Sequence, residues 1–242
     1  MRFLLGKGGT SVNGMTPELH PRLQMLKSLI PQGVRLADVG TDHGYIPVSL
    51  LLEGKIASAI ASDIAEAPLR HAGQTAERYG VSEGITFRLS AGLEGFLPGE
   101  ANCFLLAGMG GETIRDILAE ATWLLREDVL LILQPQTKQE LLRKWLSENG
   151  YVIVKEYLVS DRDALYNIFT VRVGKSVPLS DFACYAGVHL SDDPLYAEYL
   201  QRQAERLDKT VIGLRRSDRE ENLRRADELE DLRNALRKGE EL

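Results

Sequence analysis

The chain has 242 residues and a formal net charge of -6, with 44% hydrophobic and 26% charged residues. This composition is typical of a soluble globular protein that holds one good-sized domain and an appendage. No apolar run approaches the ~20 residues of a membrane-spanning helix, the first residues do not resemble a secretion signal, and two cysteines argue against a disulfide framework. We therefore expect a cytoplasmic protein with no membrane association, and no metal, because no Cys/His cluster has zinc-ligand spacing.

The charge is unevenly distributed along the chain. Residues 1–35 carry five basic side chains against one acid, whereas residues 36–120 carry five against twelve. A basic arm on an acidic core is compatible with RNA binding by one face, because phosphate contacts are local while net charge is global.

Short apolar runs alternate with helical patterns from residue 34 onward. Strand and helix alternate along five strands, and two further strands joined by the polar turn "SDRDA" then form a hairpin. This order predicts an α/β fold, a Rossmann-like and mostly parallel sheet with one antiparallel edge strand. The predicted strands are 34–40, 56–64, 85–92, 102–111, 129–135, 151–159 and 165–173, and the predicted helices are 46–54, 66–80, 112–121 and 138–150.

The pattern changes after Gly174. Residues 175–194 have the composition of an irregular linker, and an apolar seam that steps by four and three then runs from Leu200 to Leu214. "SDRE" at 217–220 has the pattern of a capping box, and a second apolar stripe follows it. These features predict a C-terminal antiparallel helical hairpin. The predicted organisation is an extension over 1–14 that could be disordered, a main domain over 15–175, and a linker with a coiled-coil-like hairpin over 176–242.

The stretch "ADVGTDHGYIP" (37–47) follows the first predicted strand, at the edge of the sheet where open α/β folds bind ligands. Gly40 permits a tight turn, and the amides before the next helix can face an anionic group. The dinucleotide fingerprint is absent because Asp42 takes the place of its second glycine. A pyrophosphate would be repelled there, whereas S-adenosylmethionine, with its ammonium and sulfonium, suits the loop. The alternative is that Asp38 and Asp42 are solvated turn formers.

Later strand ends also carry candidate groups. Asp63 closes the second strand, where a carboxylate can accept both ribose hydroxyls of an adenosine. Residues 108–111 are Gly-Met-Gly-Gly, which leaves space for a sulfonium or an acceptor base, or forms a flexible turn. Residues 134–136 are Gln-Pro-Gln, which could offer an amide to the acceptor or simply end the strand. For His43 the alternatives are capping or packing and a role in substrate binding. For Tyr45 they are covering the cofactor and packing on the following helix. No role is predicted for His20, His71 or His189.

Six stretches and the helical C-terminal hairpin together resemble the bacterial tRNA (adenine-22-N1)-methyltransferase family, within the class I S-adenosylmethionine-dependent methyltransferases. The resemblance covers most of the chain from about Met15. Three departures are Ala91 before the glycine of the third strand end, Asn102, and Asn167 after Tyr166. The carrying stretches are "PRLQ" (21–24), "ADVGTDHGYIP" (37–47), "IASDI" (60–64), "LLAGMGGETI" (105–114), "LILQPQ" (131–136) and "LY" (165–166).

The resemblance implies S-adenosylmethionine as methyl donor and N1 of a tRNA adenine as acceptor, with no DNA, membrane or metal partner. N1 has an in-plane lone pair and needs no general base, so Asp42, with His43 beside it, is expected to stabilise the cationic ring that forms. The expected cofactor-binding residues are Asp38, Gly40, Thr41, Asp42, Gly44, Tyr45, Asp63, Ile64, Ala91, Gly92, Ala107, Gly108, Met109 and Gly110. The expected substrate-binding residues are Arg22, Met109, Gln134, Pro135, Tyr166, Arg202, Arg206 and Lys209.

RNA contacts outside the pocket are expected because N1 lies on the Watson–Crick edge, so the adenine must be unpaired or flipped out. Arg22 and Lys27 flank the pocket, and Arg202, Arg206, Lys209 and Arg216 follow one face of the first C-terminal helix. A solvated charged face is the alternative for that helix. A small-molecule or other RNA methyltransferase and a non-catalytic interaction module are the competing functions.

Overall fold

The computed structural model of the protein describes residues 16–240, so the predicted extension over 1–14 lies outside the described residues. One seven-stranded sheet has the order β3-β2-β1-β4-β5-β7-β6. The strands are β1 (Leu36–Val39), β2 (Ala59–Asp63), β3 (Ile85–Leu89), β4 (Cys103–Gly110), β5 (Leu130–Thr137), β6 (Tyr151–Asp161) and β7 (Ala164–Val173).

The prediction of a mostly parallel sheet with an antiparallel edge is confirmed. Strands β1 to β5 pair in parallel, and the β6–β7 hairpin forms the antiparallel edge. Within that edge, β7 is the strand of opposite direction, because it pairs antiparallel with both β5 and β6. Only Arg162 and Asp163 separate the two strands, and Arg162 has a φ of 56°. The turn is therefore tighter than the five-residue "SDRDA".

Helices cover both faces of the sheet. They are α1 (Pro21–Leu29), α2 (Tyr45–Leu52), α3 (Glu66–Tyr79), α4 (Gly111–Glu120), α5 (Gln139–Glu148), α6 (Asp181–Ala186), α7 (Tyr196–Leu214) and α8 (Glu220–Lys238).

The core has two layers, one on each face of the sheet. Successive side chains of a strand point to opposite faces, and β4 shows the alternation. Phe104 and Leu106 pack in the layer that α4 and α5 cover, whereas Cys103 and Leu105 pack in the layer that α1 and α2 cover. All four side chains are fully buried, as the continuous apolar sequence of a doubly covered parallel strand requires. This burial fixes the carboxyl ends of β1, β4 and β5 side by side.

Two local predictions on the C-terminal segment were wrong. The expected irregular linker contains α6, whose first turn is capped because the Ser180 hydroxyl accepts from the Ala183 amide at 3.1 Å. The expected capping box at 217–220 does not form, and α8 begins after Arg219, which makes no side-chain cap. The Ser217 hydroxyl instead accepts from the Arg219 amide and the Asn222 side chain. Polar side chains close to a helix start compete for the same few amides, and the sequence pattern does not rank them.

A fully buried arginine joins the hairpin of α7 and α8 to the sheet. Arg143 on α5 donates to both carboxylate oxygens of Glu156 on β6, at 2.9 and 2.7 Å. It also donates to the Cys184 carbonyl, to Asn167 Oδ1 and to the Tyr199 hydroxyl, at 2.6, 2.7 and 2.9 Å. Five elements therefore meet at one guanidinium, and Asn167, noted above as a departure, has a structural role as one of its acceptors.

Candidate active site

A cavity of about 490 Å³ opens at the carboxyl ends of β1 and β4, and we call it the strand-end cavity. Its size is that of a small-molecule site. Nine of its lining residues are predicted site residues, and five others are His20, Leu23, Ile46, Leu105 and Gln136. The nine predicted ones are Arg22, Asp38, Gly40, Thr41, Asp42, His43, Tyr45, Ala107 and Gly108.

The loop after β1 is pinned from two sides. The amides of Gly40 and Thr41 both donate to the Ser62 carbonyl of β2, at 2.8 and 3.0 Å. Gly40 has a φ of 77°, and a Cβ there would lie 2.6 Å from the Met109 methyl group. Asp42 adopts a left-handed φ of 50°, a conformation that aspartate tolerates better than most residues. The loop is therefore preformed against β2 and β4.

Asp38 is a buried carboxylate in this wall. It is 6% exposed, and within residues 16–240 its side chain makes one hydrogen bond, which it accepts from the Thr41 hydroxyl at 2.6 Å. Burial raises the pKa of Asp38 to about 6, and the nearby Asp63 and Asp42 add to the rise while the Thr41 hydrogen bond opposes it. A buried carboxylate with a raised pKa in a cavity is a candidate binding group for a cation.

A rigid network holds Arg22 at the opposite wall. Its guanidinium donates to Gln134 Oε1 at 2.7 Å and lies over the Tyr166 ring, 5.2 Å from the centroid. Gln134 is fully buried and its Oε1 also accepts from the Gly108 amide at 3.2 Å, whereas its Nε2 has no partner among the described residues. The structure thus places Gln134 and Tyr166 behind Arg22 rather than in the cavity wall, and Gln136 is the residue of that strand end that lines the cavity.

Asp42 and His43 stand at the mouth of the cavity. Their side chains are 74% and 45% exposed, with 3.6 Å between His43 Nε2 and Asp42 Oδ1. The His43 ring stacks between Tyr45 and His71, at centroid distances of 5.4 and 5.3 Å. His71, for which no role was predicted, therefore orients His43. No local sequence pattern predicts this contact, because His71 lies on α3, outside the stretch that contains His43.

The other expected cofactor residues lie along the same edge of the sheet, outside the cavity wall. Asp63 ends β2 and accepts from the Ala65 amide at 2.9 Å, and Ile64 beside it is 75% exposed. Ala91 and Gly92 follow β3, Gly92 with a φ of 53°. Gly44 precedes α2, and Met109 and Gly110 end β4, whereas Pro135, which was expected to bind the substrate and not the cofactor, lies in β5.

The basic residues expected to contact RNA lie in several different surroundings. Arg202 and Arg206 line a separate cavity between α5 and α7, whereas Lys209 is exposed and lines neither cavity. Lys27 forms an ion pair with Glu53 at 2.6 Å. Among the lysine and arginine side chains of residues 16–240, Arg22 alone lines the strand-end cavity.

Two of the five lining residues of the strand-end cavity that were not predicted have a recognisable signal in the sequence. His20 directly precedes the "PRLQ" stretch, and Gln136 belongs to the Gln-Pro-Gln strand end. The three aliphatic wall residues (Leu23, Ile46 and Leu105) follow the pattern of core positions and carry no separate signal. Over residues 16–240, no group of three His, Cys, Asp or Glu side chains could hold a metal ion, and none of the helices there is long and apolar enough to span a bilayer.

Comparison with known proteins agrees with this geometry. The family model described as "Methyltransferase domain" matches residues 19–169, which include both walls of the strand-end cavity. The tRNA (adenine(22)-N(1))-methyltransferase of Bacillus subtilis is 32% identical over 186 residues, or 77% of this chain and 76% of that protein.

Solved structures extend the likeness to the C-terminal hairpin. A Streptococcus pneumoniae protein in complex with S-adenosyl-L-methionine is 33% identical, with a TM-score of 0.77 over 90% of this chain and 97% of that one. M. capricolum TrmK in complex with S-adenosyl-homocysteine is 27% identical, with a TM-score of 0.74 over 90% and 96% of the two chains.

Proposed function

This chain belongs to the tRNA (adenine-22-N1)-methyltransferase family, and we propose that it transfers a methyl group from S-adenosylmethionine to N1 of adenine 22 in tRNA. The family resemblance of the sequence is confirmed. The observation that carries the proposal is the strand-end cavity, which combines a buried carboxylate, a pinned glycine turn and a glycine-lined opposite wall. The identity of 32% extends over about three quarters of both this chain and the Bacillus subtilis enzyme, so the likeness is not limited to a short shared motif.

The residues of the cavity fit S-adenosylmethionine, which supplies an electrophilic methyl group on a sulfonium. Asp38 is a buried anion that matches an ammonium or sulfonium charge. At Gly108 a Cβ would be 3.8 Å from both Arg22 Nη1 and Gln136 Nε2, so any larger residue would occupy the space between these two side chains. We assign the ribose hydroxyls to Asp63 and the adenine ring of the donor to the exposed Ile64.

The acceptor nitrogen requires positioning rather than activation. N1 of adenine carries an in-plane lone pair and is unprotonated near neutral pH, so no side chain has to remove a proton. Alignment of the two reactants can lower a barrier by as much as about 7–11 kcal/mol. We assign this task to the network of Gln134, Arg22 and Gly108, whose hydrogen bonds fix one wall of the cavity.

Asp42 is the group that we assign to the developing charge. Methylation at N1 makes the ring cationic, and a carboxylate beside it stabilises that charge most strongly once water is excluded. Asp42 is largely exposed in the free protein, so bound RNA must cover it for the full effect. His43, held in its ring stack, lies beside it and forms part of the same surface.

The transfer is tested with labelled methyl groups and a matched pair of tRNA transcripts, one with adenine and one with guanine at position 22. We expect label only in the first transcript, as 1-methyladenosine. Label of equal amount in both transcripts would refute the position. Calorimetry with S-adenosylhomocysteine separates the enzyme from a non-catalytic RNA- or protein-binding module, since such a module would give no heat of binding and no thermal shift.

A further inference from the structure

A second cavity, of about 430 Å³, lies between the start of α5 and the N-terminal half of α7. We call it the interhelical cavity. Its polar wall includes Lys138, Arg202, Gln203 and Arg206, and its rim includes Gln136. Gln136 also lines the strand-end cavity. The two cavities therefore meet at this residue.

The start of α5 is suited to an anion. Lys138 precedes the helix with a φ of 57°, and among residues 16–240 no side chain caps the amides of the first turn. Unpaired amides at a helix start carry a partial positive charge that anions neutralise. The ammonium of Lys138, which is exposed, adds a full charge at the same place.

Two arginines of α7 are held over the same space. Arg202 pairs with Glu198 at 2.7 Å and donates to the Asp163 carbonyl at 3.3 Å. Arg206 pairs with Glu140 at 3.3 Å, and both arginine side chains keep more than two fifths of their surface exposed. Glu198 and Glu140 offset two of the three positive charges that Lys138 and the two arginines supply. The wall of the interhelical cavity therefore keeps a net positive charge.

Gln203 adds a neutral donor to the same wall. This residue is 5% exposed and lines the cavity. Its Oε1 accepts from Arg206 at 2.8 Å, so its amide nitrogen Nε2 is available to donate to a phosphate or ribose oxygen in the cavity.

We propose that the interhelical cavity binds the phosphate and ribose of the nucleotide next to the target adenosine, whose base enters the strand-end cavity. Arginine, lysine and a helix start are the groups that recognise phosphate, and the volume of about 430 Å³ exceeds what a lone ion needs. The inference rests on the proposed function and adds a second subsite to it, with Gln136 between the two.

The test combines protein variants with neutralised phosphates. Two tRNA transcripts carry one methylphosphonate each, on the 5′ or the 3′ side of adenine 22, which removes one negative charge. The protein variant is Lys138→Asn with Arg202→Gln, in which asparagine keeps the left-handed backbone. The control is Lys175→Gln with Arg224→Gln, which removes two exposed charges that line neither cavity. Binding of each protein to each tRNA is measured, with S-adenosylhomocysteine binding as the check of folding.

For the wild type and the control, one of the two methylphosphonates should weaken tRNA binding about tenfold or more. For Lys138→Asn with Arg202→Gln, binding of unmodified tRNA should weaken to a similar extent and the methylphosphonate should have no further effect. Equal penalties in wild type and variant, or no penalty for either linkage, would overturn the inference. Arg202→Gln alone replaces the double variant if that is unstable. A wild type that forms no 1-methyladenosine on unmodified tRNA would instead refute the proposed function, and the inference with it.

Discussion

Replacing Asp38 by asparagine should stabilise the free protein while weakening its binding of the donor. Asp38 is buried with one hydrogen bond, from Thr41, and the difference between a pKa of about 6 and the ordinary value of 3.8 corresponds to about 3 kcal/mol. This is the cost of keeping the charged form folded at pH 8, and it is the upper limit of what Asp38→Asn can recover. Because the same charge faces the cavity, the variant should bind S-adenosylhomocysteine at least tenfold more weakly.

The pH dependence gives the sign of the effect. Since the folded pKa lies above the unfolded one, the folded state holds more protons between about pH 4 and 6. The contribution of Asp38 to the free energy of unfolding of the wild type is therefore most favourable below pH 4, and it is lost as the pH rises through about 6. Urea unfolding of wild type and Asp38→Asn should give curves that converge at pH 4 and diverge at pH 8.

The matched control is Asp42→Asn, which alters an exposed carboxylate of the same loop. It should change the free energy of unfolding much less than Asp38→Asn does at pH 8, because the Asp42 charge is a minor addition to the rise in pKa that burial of Asp38 causes. If Asp38→Asn were no more stable than wild type at pH 8, or if the difference did not change with pH, the assignment of a desolvated carboxylate in this wall would be wrong.

Three further predictions concern the sheet, the cavity and the chemistry. Arg143→Met should lower the free energy of unfolding by about 3–5 kcal/mol in urea titrations, because Glu156 is left buried without its partner. Gly108→Val should reduce S-adenosylhomocysteine affinity at least tenfold in calorimetry, since Gly108 has a φ of 81° and its substituent would enter the space between Arg22 and Gln136. Asp42→Ala should abolish single-turnover methylation while tRNA binding in a filter assay survives, and full activity would exclude Asp42 from the mechanism.

The sheet and the loop after β1 were predictable because their signals are local. A continuous apolar strand, a glycine turn and a following helix occupy one short stretch, and the parallel sheet then brings the ends of β1 and β4 together without further information. Nine predicted residues therefore line the strand-end cavity.

The contacts that join distant segments were not predictable. Arg143 has a surface-like residue type, yet it is fully buried because Glu156, Asn167 and Tyr199 surround it from three other elements. The stack of His43 on His71 likewise joins the loop after β1 to α3. Side-chain networks of this kind depend on tertiary packing, which periodicity along one chain does not encode.

The position along β5 explains why Gln136, and not the predicted Gln134, lines the strand-end cavity. Their side chains point to the same face of the sheet, because residues two apart on a strand do so. Gln134, however, lies two residues further from the carboxyl end of β5 and is covered by Arg22 and Gly108. The fully buried amide therefore supports the cavity wall, while the exposed one forms it. Distance from the sheet edge, rather than residue type, decides which amide the ligand meets.

The most direct measurement is the chemical identity of the product. A tRNA transcript with adenine at position 22 is incubated with the protein and S-adenosylmethionine, digested to nucleosides and separated against standards of 1-methyladenosine and N6-methyladenosine. We expect the 1-methyl isomer alone. Recovery of the N6-methyl isomer, or of unmodified adenosine from a protein that binds S-adenosylhomocysteine, would contradict methyl transfer to N1.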